Sequence, residues 1–254
     1  MKFSIITATY NSALYLEETI ESVLSQTYSD IEYIIVDGNS TDATHEIIKK
    51  FSGSISKLLI EDDESMYDAI NKGIRISTGD VIAILNSDDQ LASVDTIKTM
   101  ADILCDKSVS GVYSNIINCY GKLQVKKKVF QVNLSDYLVS GKGTFVPHTS
   151  LYLKREVFDN VGLYSLDYKF ASDFDFTIRV LKNYKIKHID KYLFIFRRHD
   201  NSITASGKIR DERIQILDGQ KVNYKFIKLR KLLLWSRYYI KNISFSSLFA
   251  YLYK

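Results

Sequence analysis

The 254-residue sequence predicts an α/β fold with a mostly parallel central sheet, and three observations carry that prediction. Apolar runs of strand length alternate four times with helical stripes of apolar residues. The run at residues 81–85, Val-Ile-Ala-Ile-Leu, is apolar without a break, as a strand covered on both faces must be. Polar residues gather just after each run, where ligands of open α/β sheets bind.

Residues 3–7 read as the first buried strand, and Asn11-Ser12 offers a cap for a helix with Leu16, Ile20, Val23 and Leu24 at i, i+4, i+7 and i+8. Residues 33–36 form a second strand. It ends at Asp37-Gly38-Asn39-Ser40-Thr41-Asp42, where turn formers and a Thr cap lead to a helix carrying Ile47, Ile48 and Phe51. Residues 57–60 form the third strand and 65–76 a helix with Met66, Ala69, Ile70 and Ile74 on one stripe. After the fourth strand at 81–85 the pattern becomes mixed α+β: a helix near 94–104, strands at 111–117 and 122–130, a helix at 172–183 and a strand at 192–197.

With 46% hydrophobic residues the chain can bury a sizeable core, and a single proline, Pro147, leaves no low-complexity linker. Cys105 and Cys119 make neither a disulfide framework nor a metal pattern, which fits a reducing compartment. No signal-peptide core and no spanning segment is visible, so a cytoplasmic location is expected. Residues 219–254 hold eight basic side chains and no acid; removing those eight from the net charge of +4 leaves residues 1–218 at −4. A nucleic-acid binder would spread its charge over a reading surface, so no nucleic-acid partner is expected. The expected division is a catalytic domain at 1–218, with halves 1–90 and 91–218, and a basic amphipathic tail at 219–254. That tail interleaves Lys and Arg with Leu232-Leu233-Leu234-Trp235 and Tyr238-Tyr239-Ile240, which suits a segment lying in a membrane interface or a helix packing on the domain or on a second subunit.

Two adjacent carboxylates, Asp88-Asp89, at the end of a very apolar strand call for a cation, and Mg2+ or Mn2+ shared with substrate phosphates is a standard solution. A solvated Asp-Asp turn is the plain alternative. The surroundings favour the cation. Thr7-Ala8-Thr9-Tyr10-Asn11, then Val36 through Asp42, then Met66-Tyr67-Asp68-Ala69-Ile70-Asn71-Lys72-Gly73-Ile74, then Thr78-Gly79-Asp80-Val81 running into Asn86-Ser87-Asp88-Asp89, follow in order. This ordered set resembles the family-2 glycosyltransferases of bacterial polysaccharide assembly, which have the Rossmann-like GT-A fold; the likeness is dense over residues 1–90 and returns at 148–179 and around His199.

The resemblance implies an inverting, metal-dependent enzyme that moves one sugar from a UDP-sugar to an acceptor hydroxyl, with a lipid-linked glycan the expected acceptor. It places Thr7, Tyr10, Asn11, Asp37, Asp68, Lys72, Asn86, Asp88 and Arg198 at the donor, with Asp37 accepting from the base. It places Asp89 and His199 on a divalent metal, Mn2+ or Mg2+, with Asp88 facing the ribose or sugar. An aspartate at a strand end can pair with an imide N–H and an aromatic such as Tyr10 can flank a flat ring. Asp68 and Lys72, four apart on a helix, could equally form a surface ion pair. In Phe170-Ala171-Ser172-Asp173-Phe174-Asp175, the resemblance makes Asp173 the general base and Asp175 the runner-up. If Ser172 begins a helix, Asp173 sits in its first turn, where the macrodipole favours a carboxylate. Arg197 and Arg198 could neutralise the departing diphosphate; His148 resembles the family's acceptor-side histidine, though a histidine near a core strand is more often structural.

No GxGxxG follows the first strand and no GxxxxGK[ST] occurs, so dinucleotide oxidoreductase and P-loop readings lose their support. The Gln-x-x-Arg-Trp motif of processive synthases is absent too, which favours single transfer over polymerisation. A non-catalytic nucleotide-sugar-binding protein and a sugar nucleotidyltransferase remain as rivals. The expected membrane contact is peripheral, through 219–254, on the inner face of the cell membrane.

Overall fold

The computed structural model describes residues 1–134, 137–138, 146–199 and 209–220. Its strands are β1 (Phe3–Thr9), β2 (Ile31–Asp37), β3 (Lys57–Ile60), β4 (Val81–Ile84), β5 (Gln90–Leu91), β6 (Gly111–Tyr120), β7 (Leu123–Lys127), β8 (Tyr152–Lys154) and β9 (Ile186–Arg197). Its helices are α1 (Leu16–Leu24), α2 (Thr44–Lys50), α3 (Met66–Ile76), α4 (Thr96–Leu104), α5 (Arg155–Val161), α6 (Ser172–Asn183) and α7 (Ile209–Gly219).

One sheet runs in the order β3-β2-β1-β4-β8-β6-β9-β5, with β7 paired to β6. The first four strands are parallel throughout, Ile5 opposite Tyr33 and Ala83. The second half inserts β8 antiparallel between β4 and β6, then returns to a parallel β6–β9 pair, so the sheet is parallel on one side and mixed on the other. Side chains that alternate across a strand explain two cores. Ile6, Ile34 and Ile82 face α3 and α6; Ile5, Ile35 and Ala83 face α1 and α4. Gly73 sets how closely α3 lies on the sheet, because a Cβ there would stand 2.5 Å from Ile6 Cγ2.

The elements fall close to expectation, and two caps differ. α1 begins at Leu16 with no side-chain cap, because Asn11 and Ser12 are used elsewhere and only the Ser12 carbonyl accepts from Leu16 N (3.1 Å). α2 begins after Ala43, not at a Thr cap; Asp42 Oδ1 accepts from Thr44 N at 3.0 Å. Ser65 caps α3 by accepting from Asp68 N at 3.2 Å. The two-residue β5, and α5 and α7, have too little periodicity to be seen in the sequence. Among the described residues no helix is long and apolar enough to cross a membrane. The expected tail from 221 onward lies outside the described residues.

Candidate functional site

Parallel strands β1, β2, β3 and β4 point their carboxyl ends at one rim, and their loops are stitched together there. Ser12 Oγ and Ser87 Oγ are 2.8 Å apart, joining the loops after β1 and β4. Asn11 N donates to Ser40 Oγ (2.8 Å) and Asn11 Oδ1 accepts from Thr41 N (2.8 Å), joining the loops after β1 and β2. Asn11 holds a left-handed φ of 49°, a conformation asparagine tolerates better than most residues. Its place is therefore in the loop's framework.

Two more residues expected at the donor are also structural. Thr7 is fully buried with its hydroxyl 3.2 Å from Tyr33 Oη, inside the sheet and away from the rim. Asp37 is fully buried, with Oδ1 accepting from Ser40 N (2.8 Å) and His45 Nε2 (2.8 Å) and Oδ2 from Ser40 Oγ (2.7 Å). Both oxygens serve the turn, and Oδ2, with one accepted bond, keeps a lone pair. Tyr10, by contrast, is 62% exposed. Beside it Gly38 allows a close approach: a Cβ there would be 3.0 Å from Asp63 Oδ2 and 3.4 Å from Tyr10 Cδ2.

Lys72 is encircled on α3 by Asp63 (2.7 Å), Glu61 (3.0 Å) and Asp68 (3.2 Å), and its ammonium also donates to the Asp62 carbonyl (2.7 Å). Burial acts to lower its pKa, but the three carboxylates outweigh burial and raise it above the ordinary lysine value. The Asp68–Lys72 pair expected of a helix surface is thus present within a larger cluster. Burial raises the Asp63 carboxyl, and Asp68 and Glu61 add to it against the pull of Lys72.

The two carboxylates after β4 are not equivalent. Asp89 has no exposed surface; Oδ1 accepts from Arg197 N (3.0 Å), Oδ2 from Asn86 Nδ2 (3.1 Å), and its carbonyl from Thr19 Oγ1 (2.8 Å). Burial, and then the adjacent Asp88 charge, push its carboxyl well above the usual range. Each Asp89 oxygen thus accepts one hydrogen bond from the framework, one of them from β9, which holds the side chain inward. Asn86 serves Asp89 in the same framework. Asp88 turns outward: its side chain is 27% exposed and Oδ2 lies 2.9 Å from His199 Nε2, itself 24% exposed. A carboxylate and an imidazole side by side at a rim suit Mn2+ or Mg2+ with further positions filled by phosphate oxygens and water. Among the described residues no group of three or more His, Cys, Asp or Glu is placed to hold a metal, so any such ion would draw on its substrate.

Arg197 is committed: its backbone holds Asp89, Nε donates to the Asp88 carbonyl (3.0 Å), its guanidinium pairs with Glu18, and it lies 4.2 Å over the Tyr15 ring. Arg198 is not. Its Nε is buried without a hydrogen-bond partner.

Asp173 lies in the first turn of α6 and reaches the same rim through α3: Tyr67 Oη donates to Asp173 Oδ1 at 3.2 Å, and Tyr67 is the second residue of α3. Burial, and then the Asp173 charge, raise the Tyr67 phenol well above its ordinary value, so it stays a donor. Just upstream, the Glu212 carboxylate of α7 accepts from three successive backbone groups, Lys169 N (3.0 Å), Phe170 N (2.7 Å) and Ala171 N (2.8 Å). Asp175 instead pairs with Arg179 (2.8 Å), whose other nitrogens donate to the carbonyls of Val161 and Leu163. His148 is buried against Tyr164 Oη (2.8 Å), and burial holds its pKa below the ordinary histidine value. Tyr67 and Glu212 were not singled out in the sequence. Tyr67 lies inside a motif quoted there; Glu212 carries no sequence signal.

The family profile described as glycosyl transferase family 2 matches residues 4–202. A PGL/p-HBAD biosynthesis glycosyltransferase of Mycobacterium bovis is 31% identical over 191 residues, covering 71% of this chain and 70% of that protein. The glycosyltransferase GlyG of Streptococcus pneumoniae is 26% identical over 263 residues, covering 90% and 86%. Among solved structures, S. aureus TarS 1-349 in complex with UDP-GlcNAc superposes with a TM-score of 0.72 at 20% identity, over 85% of this chain and 65% of that one. The mannosyltransferase PcManGT of Pyrobaculum calidifontis, in complex with GDP-Man and Mn2+, gives 0.66 at 19%, over 87% and 64%. The chain spans 37% of the length of a longer TarS chain.

Proposed function

The chain belongs to glycosyl transferase family 2, and we propose that this glycosyltransferase inverts the anomeric centre as it moves a single sugar from a UDP-sugar to an acceptor hydroxyl. Two carboxylates support the proposal: Asp88 beside His199 in the loop after β4, and Asp173 on the hydroxyl of Tyr67 at the start of α3.

In this reading Asp173 accepts the acceptor hydroxyl's proton as its oxygen bonds to the anomeric carbon and the bond to the nucleoside diphosphate breaks. The first turn of α6 suits a carboxylate there, and Tyr67 fixes its direction. Asp88 and His199, rather than Asp89, would hold Mn2+ or Mg2+, which would neutralise charge on the diphosphate. Asp89 holds the loop against β9. Arg198 faces the diphosphate with the nitrogen that has no protein partner. The exposed Tyr10 ring flanks the base. Lys72 and Asp68 shape the wall of this pocket. UDP is the nucleotide proposed because a solved relative of the same fold holds UDP-GlcNAc. We further propose a lipid-linked glycan as acceptor, a catalytic domain ending near 218, and peripheral membrane contact through the basic tail.

A screen of nucleotide-sugars for thermal stabilisation, with Mn2+ and with EDTA, tests the function. A UDP-sugar should raise the melting temperature more with Mn2+ than without, since a ligand that binds only the native state stabilises it. Equal silence from every nucleotide-sugar would sink the proposal.

A further inference from the structure

Several partly buried cations among the described residues are ion-paired. Lys72 has three carboxylates, Arg179 has Asp175 and Arg197 has Glu18. Lys127 at the end of β7, Arg198 after β9 and Arg213 on α7 enter none of the ion pairs among the described residues. Arg198 Nε and Arg213 Nε are both buried without a hydrogen-bond partner. Orphaned buried donors are rare, and those on charged groups are costly to leave unmade. Burial lowers the Lys127 pKa, and the charges of Arg198 and then Arg213 lower it further, so both guanidiniums stand within reach of Lys127.

Their placing is as informative as their lack of partners. Arg198 adjoins His199, which meets Asp88. Arg213 lies 5.2 Å from the ring of Phe174, the residue after Asp173. Arg198 is thus one residue from His199, and Arg213 contacts the residue next to Asp173. Burial and mutual repulsion act together against this arrangement unless an anion enters it, and two guanidinium forks with an ammonium match the oxygens of a phosphate.

We propose that Lys127, Arg198 and Arg213 form a binding site for a phosphate group. The group belongs either to the nucleotide's diphosphate or to a phosphate carried by the acceptor. The pocket itself stands without the donor assignment; only the first of these two sources rests on the proposed function.

The test uses the full chain in EDTA, with inorganic pyrophosphate as the probe in titration calorimetry. Wild type should bind pyrophosphate, Lys127→Gln and Arg213→Gln should each weaken it at least tenfold, and Lys127→Arg should retain it. Uridine and UDP then locate the source. If UDP weakens in parallel while uridine does not, the site takes the nucleotide's diphosphate; if UDP affinity holds while pyrophosphate weakens, it takes the acceptor's phosphate. Without ligand, both Gln variants should melt at or above the wild-type temperature, because they relieve repulsion. A wild type that ignores pyrophosphate, or Gln variants that bind it as tightly as wild type, would overturn the proposal. A wild type that binds pyrophosphate but no UDP would leave the pocket standing and defeat the UDP-sugar reading instead.

Discussion

Replacing Asp89 and Asp88 in turn should separate architecture from chemistry in two neighbouring carboxylates. Asp89→Ala strands the buried Arg197 N–H and the Asn86 amide, now bonded at 3.0 and 3.1 Å. Leaving a buried donor unmet costs about 1–3 kcal/mol. Two such losses sum to about 2–6 kcal/mol, and relief from burying an acid whose pKa is raised offsets part, so the lower half of that range is expected. For a chain of this size that is roughly 4–16 °C in melting temperature. Asp88→Asn removes a partly exposed oxygen next to His199 and should change stability by no more than about 0.5 kcal/mol. Urea denaturation and Mn2+ titration of both variants give the comparison. Asp88→Asn should fold as wild type does and lose Mn2+ binding in the presence of UDP. Equal destabilisation by the two substitutions, or Mn2+ affinity that survives Asp88→Asn, would refute the division of labour.

Three further outcomes follow from the same geometry. Tyr67→Phe removes the donor to Asp173 and should lower kcat about tenfold with KM for the nucleotide-sugar little changed, read from steady-state kinetics. Glu212→Ala frees three backbone N–H groups ahead of α6 and should cost about 1–3 kcal/mol in urea denaturation, together with a fall in kcat that Glu212→Gln, which keeps an acceptor, partly restores. Burial acts to raise the Glu32 pKa, but Ser4 Oγ (2.6 Å), Thr78 N (2.7 Å), Thr78 Oγ1 (2.8 Å) and Lys57 (3.0 Å) outweigh it and hold the carboxyl below its ordinary range. Because the folded pKa is the lower one, this stabilisation is present above the unfolded value of about 4.3 and is lost progressively below it; urea midpoints from pH 7 to 3.5 should show a steeper acid loss in wild type than in Glu32→Gln.

The first four strands and α3 were legible because their signals are local: an apolar run, a turn, an apolar stripe and, at Ser65, a cap. β5, with two residues, exists because the longer β9 pairs with it, and no pattern within it says so. The site was legible as a set of loops, less so as a set of roles. Asn11, Asp37, Asn86 and Asp89 lie at the rim, where their side chains hydrogen-bond the loops, while Thr7 lies inside the sheet on Tyr33. Spacing cannot tell a framework carboxylate from an outward one; at Asp88 and Asp89 the distinction depends on where Arg197 arrives from 108 residues away. Arg213 and Glu212 were invisible for the same reason, since α7 acquires its meaning only where it meets α6.

Central to the account is that Asp173 removes the acceptor's proton without helping to hold the donor. The most direct measurement is paired: UDP affinity by calorimetry and sugar transfer by product formation, both on Asp173→Asn. UDP affinity within about twofold of wild type and transfer reduced by about 10²–10⁴ is the predicted result. Transfer persisting within a few-fold of wild type, or UDP binding lost along with it, would contradict the assignment.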